Sequence, residues 1–97
     1  MTRREYRKSI VTIAENYGLF SQGLKLVEEL SELQKAVIKY ISADVRTTRD
    51  KTDIIEEMAD VEIMIEQIKY WFVCNNEVEE VKELKILRQL ERIAKGE

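Results

Sequence analysis

Two short acidic clusters carry the only chemistry this sequence offers: Glu28, Glu29 and Glu32, then Glu56, Glu57 and Asp60. Within each cluster one pair is spaced i, i+3, Glu29 with Glu32 and Glu57 with Asp60, which puts two carboxylates on one side of a helix. Convergent carboxylates cannot stay ionised together without a cation or a shared proton. An all-oxygen donor set with no nitrogen or sulfur selects Mg²⁺, with Mn²⁺ as the alternative, over zinc. The rest of the composition closes other routes. With no His, the chain has no Ser-His-Asp or Cys-His machinery and no His-based zinc or di-iron site. A lone Cys74 supports neither a disulfide framework nor a zinc finger. The net charge of −3 makes no case for binding polymeric nucleic acid.

The elements that must position these acids are helices. No segment alternates with period two between hairpin turns, Pro is absent, and Gly18, the polar stretch from Asp44 to Asp50 and Asn75-Asn76 are the breaks. Four helices are predicted, over about Arg3–Tyr17, Leu19–Ala43, Lys51–Cys74 and Glu77–Ala94, the last opened by an Asn76/Glu79 capping box. The second carries Leu26, Leu30, Leu33, Val37 and Ile41 along one face; the third carries Ile54, Met58, Val61, Ile65, Ile68 and Phe72. The short polar connection between them predicts a long antiparallel hairpin. The expectation is one all-α domain over residues 1–97, a four-helix bundle on that hairpin. Two short flanking helices cannot cover so much apolar surface, so self-association is expected. No apolar run approaches a membrane span and no secretory signal opens the sequence, so a cytoplasmic protein without a membrane partner is expected.

Turning each residue by about 100° from the centre of its apolar stripe places Glu29 roughly 100° to one side and Glu32 roughly 160°. Glu57 falls roughly 70° to the same-handed side and Asp60 roughly 130°. Facing antiparallel helices reverse both direction and viewpoint, so offsets of equal hand meet on the same side of a hairpin. Both pairs therefore converge, about one turn apart in height. The competing reading is a solvated acidic face, the ordinary fate of Glu-x-x-Glu on a helix in so charged a chain.

Glu28-Glu29-Leu30-Ser31-Glu32 followed by Glu57-Met58-Ala59-Asp60 resembles the EExxE…ExxD signature of MazG-like nucleoside triphosphate pyrophosphohydrolases. The surrounding Gly18-Leu19-Phe20-Ser21-Gln22, Lys25-Leu26-Val27 and Val61 are similar to that family too, as are Lys85-Ile86-Leu87-Arg88 and Glu91-Arg92-Ile93 in the last helix. The likeness runs from about Tyr17 to Ile93. It implies a MazG-like bundle assembled as a homodimer or homotetramer. The implied activity is Mg²⁺-dependent hydrolysis of an NTP or dNTP to the monophosphate and pyrophosphate. Glu29, Glu32, Glu57 and Asp60 would be the metal ligands, with Glu29 or Glu32 orienting the attacking water. Ser31 stands where the family usually has Gly; Gln67 and Lys69 occupy a stretch where some members use a Lys or Asn, and neither is assigned a role.

Beside the acids, the last helix carries a row from Val78 and Val81 to Lys85, Arg88 and Arg92. Packed antiparallel on the third helix, that row would bring Arg88 and Arg92 level with Asp60 and Glu57 to meet a triphosphate; otherwise it is a solvated face. Leu84, Leu87, Leu90 and Ile93 drift to the opposite side and form a candidate subunit contact. Phe20 and Gln22, at the start of the second helix, are the candidates to stack on and read a base. Two other functions stay open: a phosphoribosyl-nucleotide pyrophosphohydrolase, and a non-catalytic helical association module whose acids are surface charge.

Overall fold

The computed structural model describes residues 1–97, Met1 to Glu97, as four helices and no strand. These are α1 (Arg3–Tyr17), α2 (Leu19–Ser42), α3 (Thr48–Phe72) and α4 (Asn75–Ala94). Gly18 separates α1 from α2 in a single residue, at φ 87° and ψ 161°. Only glycine occupies that region without strain, so a one-residue corner between two helices requires it. The α2–α3 connection is closed by a capping box. Thr47 Oγ1 accepts from the Asp50 N–H at 3.2 Å, and the Thr47 N–H donates back to Asp50 Oδ2 at 3.0 Å. This cap starts α3 at Thr48, three residues before the expected Lys51. At the far end Cys74 caps α4 without any side-chain bond, so the expected Asn76/Glu79 box is not formed and α4 begins at Asn75.

α2 and α3 form the predicted antiparallel hairpin, with α1 packed mainly on α3 and touching α2. Three cross-hairpin polar contacts share one register: Gln22 with Gln67, Glu29 with Asp60, and Lys39 with Asp50. Seven residues separate Gln22 from Glu29 and likewise Asp60 from Gln67; ten separate Glu29 from Lys39 and likewise Asp50 from Asp60. Two rods in antiparallel contact step together in this way along their whole length.

The buried side is rotated from the expected stripes. On α3 it runs through Val61, Met64 and Gln67, while Met58, Ile65 and Phe72 are 43, 36 and 61% exposed. On α2, Leu30 and Ile41 are 45 and 65% exposed. The thin core consists of Ile10, Ala14, Val61 and Met64, with the Gln22–Gln67 pair among them. Tyr70 donates its hydroxyl to Glu15, tying α1 to α3.

The expected packing of α4 along α3 is not formed. α4 has no buried residue and no packed face on the rest of the chain. Its single tie, Lys69 Nζ to Glu79 at 4.0 Å, lies in its first turns. Its apolar residues account for this. Val78, Val81 and, against the expectation for it, Leu84 lie on one side of the helix and Ile86, Leu87, Leu90 and Ile93 on nearly the opposite side, so no one neighbour covers both. The radius of gyration is 16.7 Å, against about 12.5 Å for a closed domain of this length.

Candidate metal centre

Glu29 on α2 and Glu57 and Asp60 on α3 each present a carboxylate oxygen, and the three oxygens lie within 4.8 Å of one another. The rotation of the core is what gathers them. It carries Glu29 and Glu57 from the flank of their stripes to the edge of the α2–α3 seam, leaving the Glu29 side chain only 12% exposed. Asp60, one turn further along α3, stays exposed at the mouth. Three of the four expected ligands are therefore together. Glu32 stands outside this group, 48% exposed and paired with Lys35 at 3.7 Å, although its charge still reaches Glu57.

Glu57 is the centre of the cluster. Its Oε2 is buried without a hydrogen-bond partner. Desolvation pushes its carboxyl above the ordinary carboxylate range, and the negative charges of Asp60, Glu29 and Glu32 push it the same way. A buried carboxylate oxygen facing two further carboxylates can be balanced either by a cation or by a retained proton. All the donors are hard oxygens at one-ion spacing, which fits Mg²⁺ or Mn²⁺.

Lys25 is the residue the sequence reading missed. Its ammonium lies 3.3 Å from Glu29 and 3.7 Å from Glu28, and the hydrogen bond to Glu29, followed by the charges of Glu28 and Glu29, raises its pKa. The i, i+4 spacing of Lys25 and Glu29 was the available signal. Lys25 thus neutralises part of the cluster from the solvent side. Asp50, also missed, is a buried acid of a different kind. Bonds from Thr47 hold its carboxyl below the usual range, and Lys39 lies 3.8 Å away, so it serves the helix start and not the acidic cluster.

The base-reading pair is split. Phe20 is 88% exposed, but on the side of α2 turned away from the acids. Gln22 is buried, its Nε2 donating to Gln67 Oε1 at 2.7 Å, while Gln67 Nε2 donates to the Ile63 carbonyl at 3.3 Å. Gln22 is committed to the core in this chain, and Gln67 has the structural role that the sequence left blank. Lys85, Arg88 and Arg92 are exposed on α4. Because α4 does not lie along α3, the single chain does not set them level with the acids. No helix is long and apolar enough to cross a membrane. No family model, curated protein or solved structure matches this chain.

Proposed function

We propose that this chain is a Mg²⁺-dependent pyrophosphohydrolase of the MazG-like kind, hydrolysing a nucleoside triphosphate to the monophosphate and pyrophosphate as a homodimer or homotetramer. The observation that carries the reading is the convergence of Glu29, Glu57 and Asp60 from two helices around the unpartnered Glu57 Oε2. A solvated acidic face does not bury an oxygen or bring a third carboxylate across from another helix.

Glu57 and Asp60 would hold the ion together with Glu29, or with Glu32 from the next turn of α2 by a rotation of its exposed side chain. The bound ion would supply charge neutralisation on the phosphates and a lower pKa for the attacking water. The protein groups do the rest. Glu29 or Glu32, whichever is left uncoordinated, orients that water and accepts its proton. Lys25 balances the charge of the cluster before substrate arrives. Lys85, Arg88 and Arg92 provide cations for the outgoing pyrophosphate, reaching it from α4 within an assembly.

The test is a panel of NTPs and dNTPs with Mg²⁺, scored for pyrophosphate against inorganic phosphate. Release of pyrophosphate that is lost in Glu57→Gln supports the reading. Release of inorganic phosphate alone, or of neither product with Mg²⁺ and with Mn²⁺, refutes it.

A further inference from the structure

The isolated chain exposes 8005 Å² of accessible surface at a mass of 11.5 kDa. A folded monomer of that mass exposes about 5,800 Å². The excess, about 2,200 Å², is the share one protomer brings to a large permanent interface. The unpacked α4 contributes part of it, and one side of the hairpin contributes another part. Phe20, Leu24, Val27, Ile38 and Ile41 of α2 are 88, 74, 64, 54 and 65% exposed. Ser31 and Gln34, also exposed, fill the intervening positions.

Together these seven residues follow one another at steps of four, three, four, three, four and three. That is an unbroken heptad seam along nearly all of α2. Measured from the side of α2 that meets α3, the seam lies roughly 130° round in one direction and Glu29 and Glu32 lie in the other. On α3, Met58, Ile65 and Phe72, seven residues apart and partly exposed, fall on the same side of the hairpin as the seam. The hairpin therefore has an acidic side and an apolar side.

We propose that the apolar side is covered by a second copy of this chain, with α2 antiparallel to α2 about a twofold axis passing between Ser31 and Gln34. This register sets Leu24 against the partner's Ile41, Val27 against the partner's Ile38, and Ser31 against the partner's Gln34. Apolar residues meet apolar ones, and the two polar positions hydrogen-bond at the centre, where they fix the alignment. A shift by one heptad sets Leu24 against Gln34 and Val27 against Ser31, which buries amides and hydroxyls on hydrocarbon.

The flanking charges select the same arrangement. Glu28 and Lys35 border the seam on one side, while Gly23, Leu30 and Val37 border it on the other. In an antiparallel pair like flanks meet, so Glu28 faces the partner's Lys35 twice over. In a parallel pair the charged flank meets the uncharged one and no ion pair forms. In the shifted antiparallel register Glu28 meets the partner's Glu28. The contact is isologous and closes at two copies. It leaves the acids open on the opposite side and does not rest on the enzymatic reading.

Sedimentation equilibrium on the full chain tests this, with helicity followed by circular dichroism. The wild type sediments as a dimer, or as a multiple of it. Val27→Glu brings the mass down towards the 11.5 kDa of one chain. Glu28→Lys and Lys35→Glu each weaken the dimer about tenfold, by placing like charges across the seam. The double variant Glu28→Lys/Lys35→Glu recovers wild-type affinity to within about twofold, because the pairs reform with reversed sign. That recovery belongs to the antiparallel register and survives any loss of folding in Val27→Glu. A wild type that sediments at the mass of one chain, or a double variant no tighter than the weaker single one, overturns the proposal.

Discussion

Glu57→Gln should do two opposite things to the protein. In the metal-free chain Glu57 sits against the carboxylates of Glu29 and Asp60 with its Oε2 unpartnered. An amide there removes one of three facing charges and can donate to the Glu29 carboxylate. A hydrogen bond to a charged acceptor at a half-buried site is worth about 1 kcal/mol. Unfolding 97 residues carries an entropy of about 0.2 kcal/mol per degree, so the metal-free melting temperature rises by about 5 °C. With Mg²⁺ the order reverses. At a hundredfold excess over Kd, a cation that binds only the folded wild type adds about 2.7 kcal/mol, or about 13 °C. The amide has lost a charged ligand and should respond by little. The assay is four melting curves, wild type and Glu57→Gln with and without Mg²⁺, at one protein concentration because assembly also shifts the midpoint. Equal Mg²⁺ responses in the two proteins, or a metal-free Glu57→Gln that melts below wild type, would refute the reasoning.

Three other outcomes follow from particular residues. Val73 ends α3 at φ 50°, a left-handed conformation that a β-branched residue adopts only under strain, and it is 82% exposed; Val73→Gly should stabilise the protein by about 1 kcal/mol in urea titrations. Gln67→Leu strands the buried Gln22 amide and should cost about 1–3 kcal/mol, whereas Gln22→Leu/Gln67→Leu should cost less than that single change; a purely additive double would be contrary to the pairing. The pH dependence of the metal-free protein has two arms. Glu57, raised in the folded state, contributes stability that is fully present below its unfolded value and lost as pH rises through its folded value. Asp50, depressed in the folded state, contributes stability present above its unfolded value and lost as pH falls through its folded value. Melting temperature should therefore pass through a maximum in mildly acid solution. Glu57→Gln should flatten the high-pH arm and Asp50→Asn the low-pH arm.

The helices were legible because their signals are local. The breaks at Gly18 and before the third and fourth helices, and the short polar connection, put all four elements within a few residues of their positions. The acidic pairs were legible for the same reason: spacing along a helix and handedness across a hairpin are geometric properties of sequence. Which side of each helix faced inward was not. Both long helices carry apolar residues over a wide arc, so several rotations bury comparable area. Packing around Ala14, Met64 and the Gln22–Gln67 pair selects one of them. That choice draws Glu29 and Glu57 inward and leaves Glu32 beyond the tight group. The position of α4 was beyond reach because its two apolar patches face opposite ways, and no single-chain contact resolves such a conflict. The Asp50 cap was missed although Thr47-Thr48-Arg49-Asp50 carries the spacing of a capping box, because the stretch from Asp44 to Asp50 reads as a break.

The common register of Gln22–Gln67, Glu29–Asp60 and Lys39–Asp50 has a mechanical consequence. A two-helix hairpin with so small a core has little to stop its rods from sliding, because apolar side chains find new neighbours one turn along. One turn is about 5.4 Å, more than the 4.8 Å within which the three acidic oxygens now lie. A slip of that size in α2 would draw Glu29 out of the group it forms with Glu57 and Asp60. The amide pair two turns from the acids and the lysine–aspartate pair beside the loop act as stops at the two ends of the track. They oppose such a slip, so changes far from the acids, at Gln67 or Asp50, would reach them as a change in spacing.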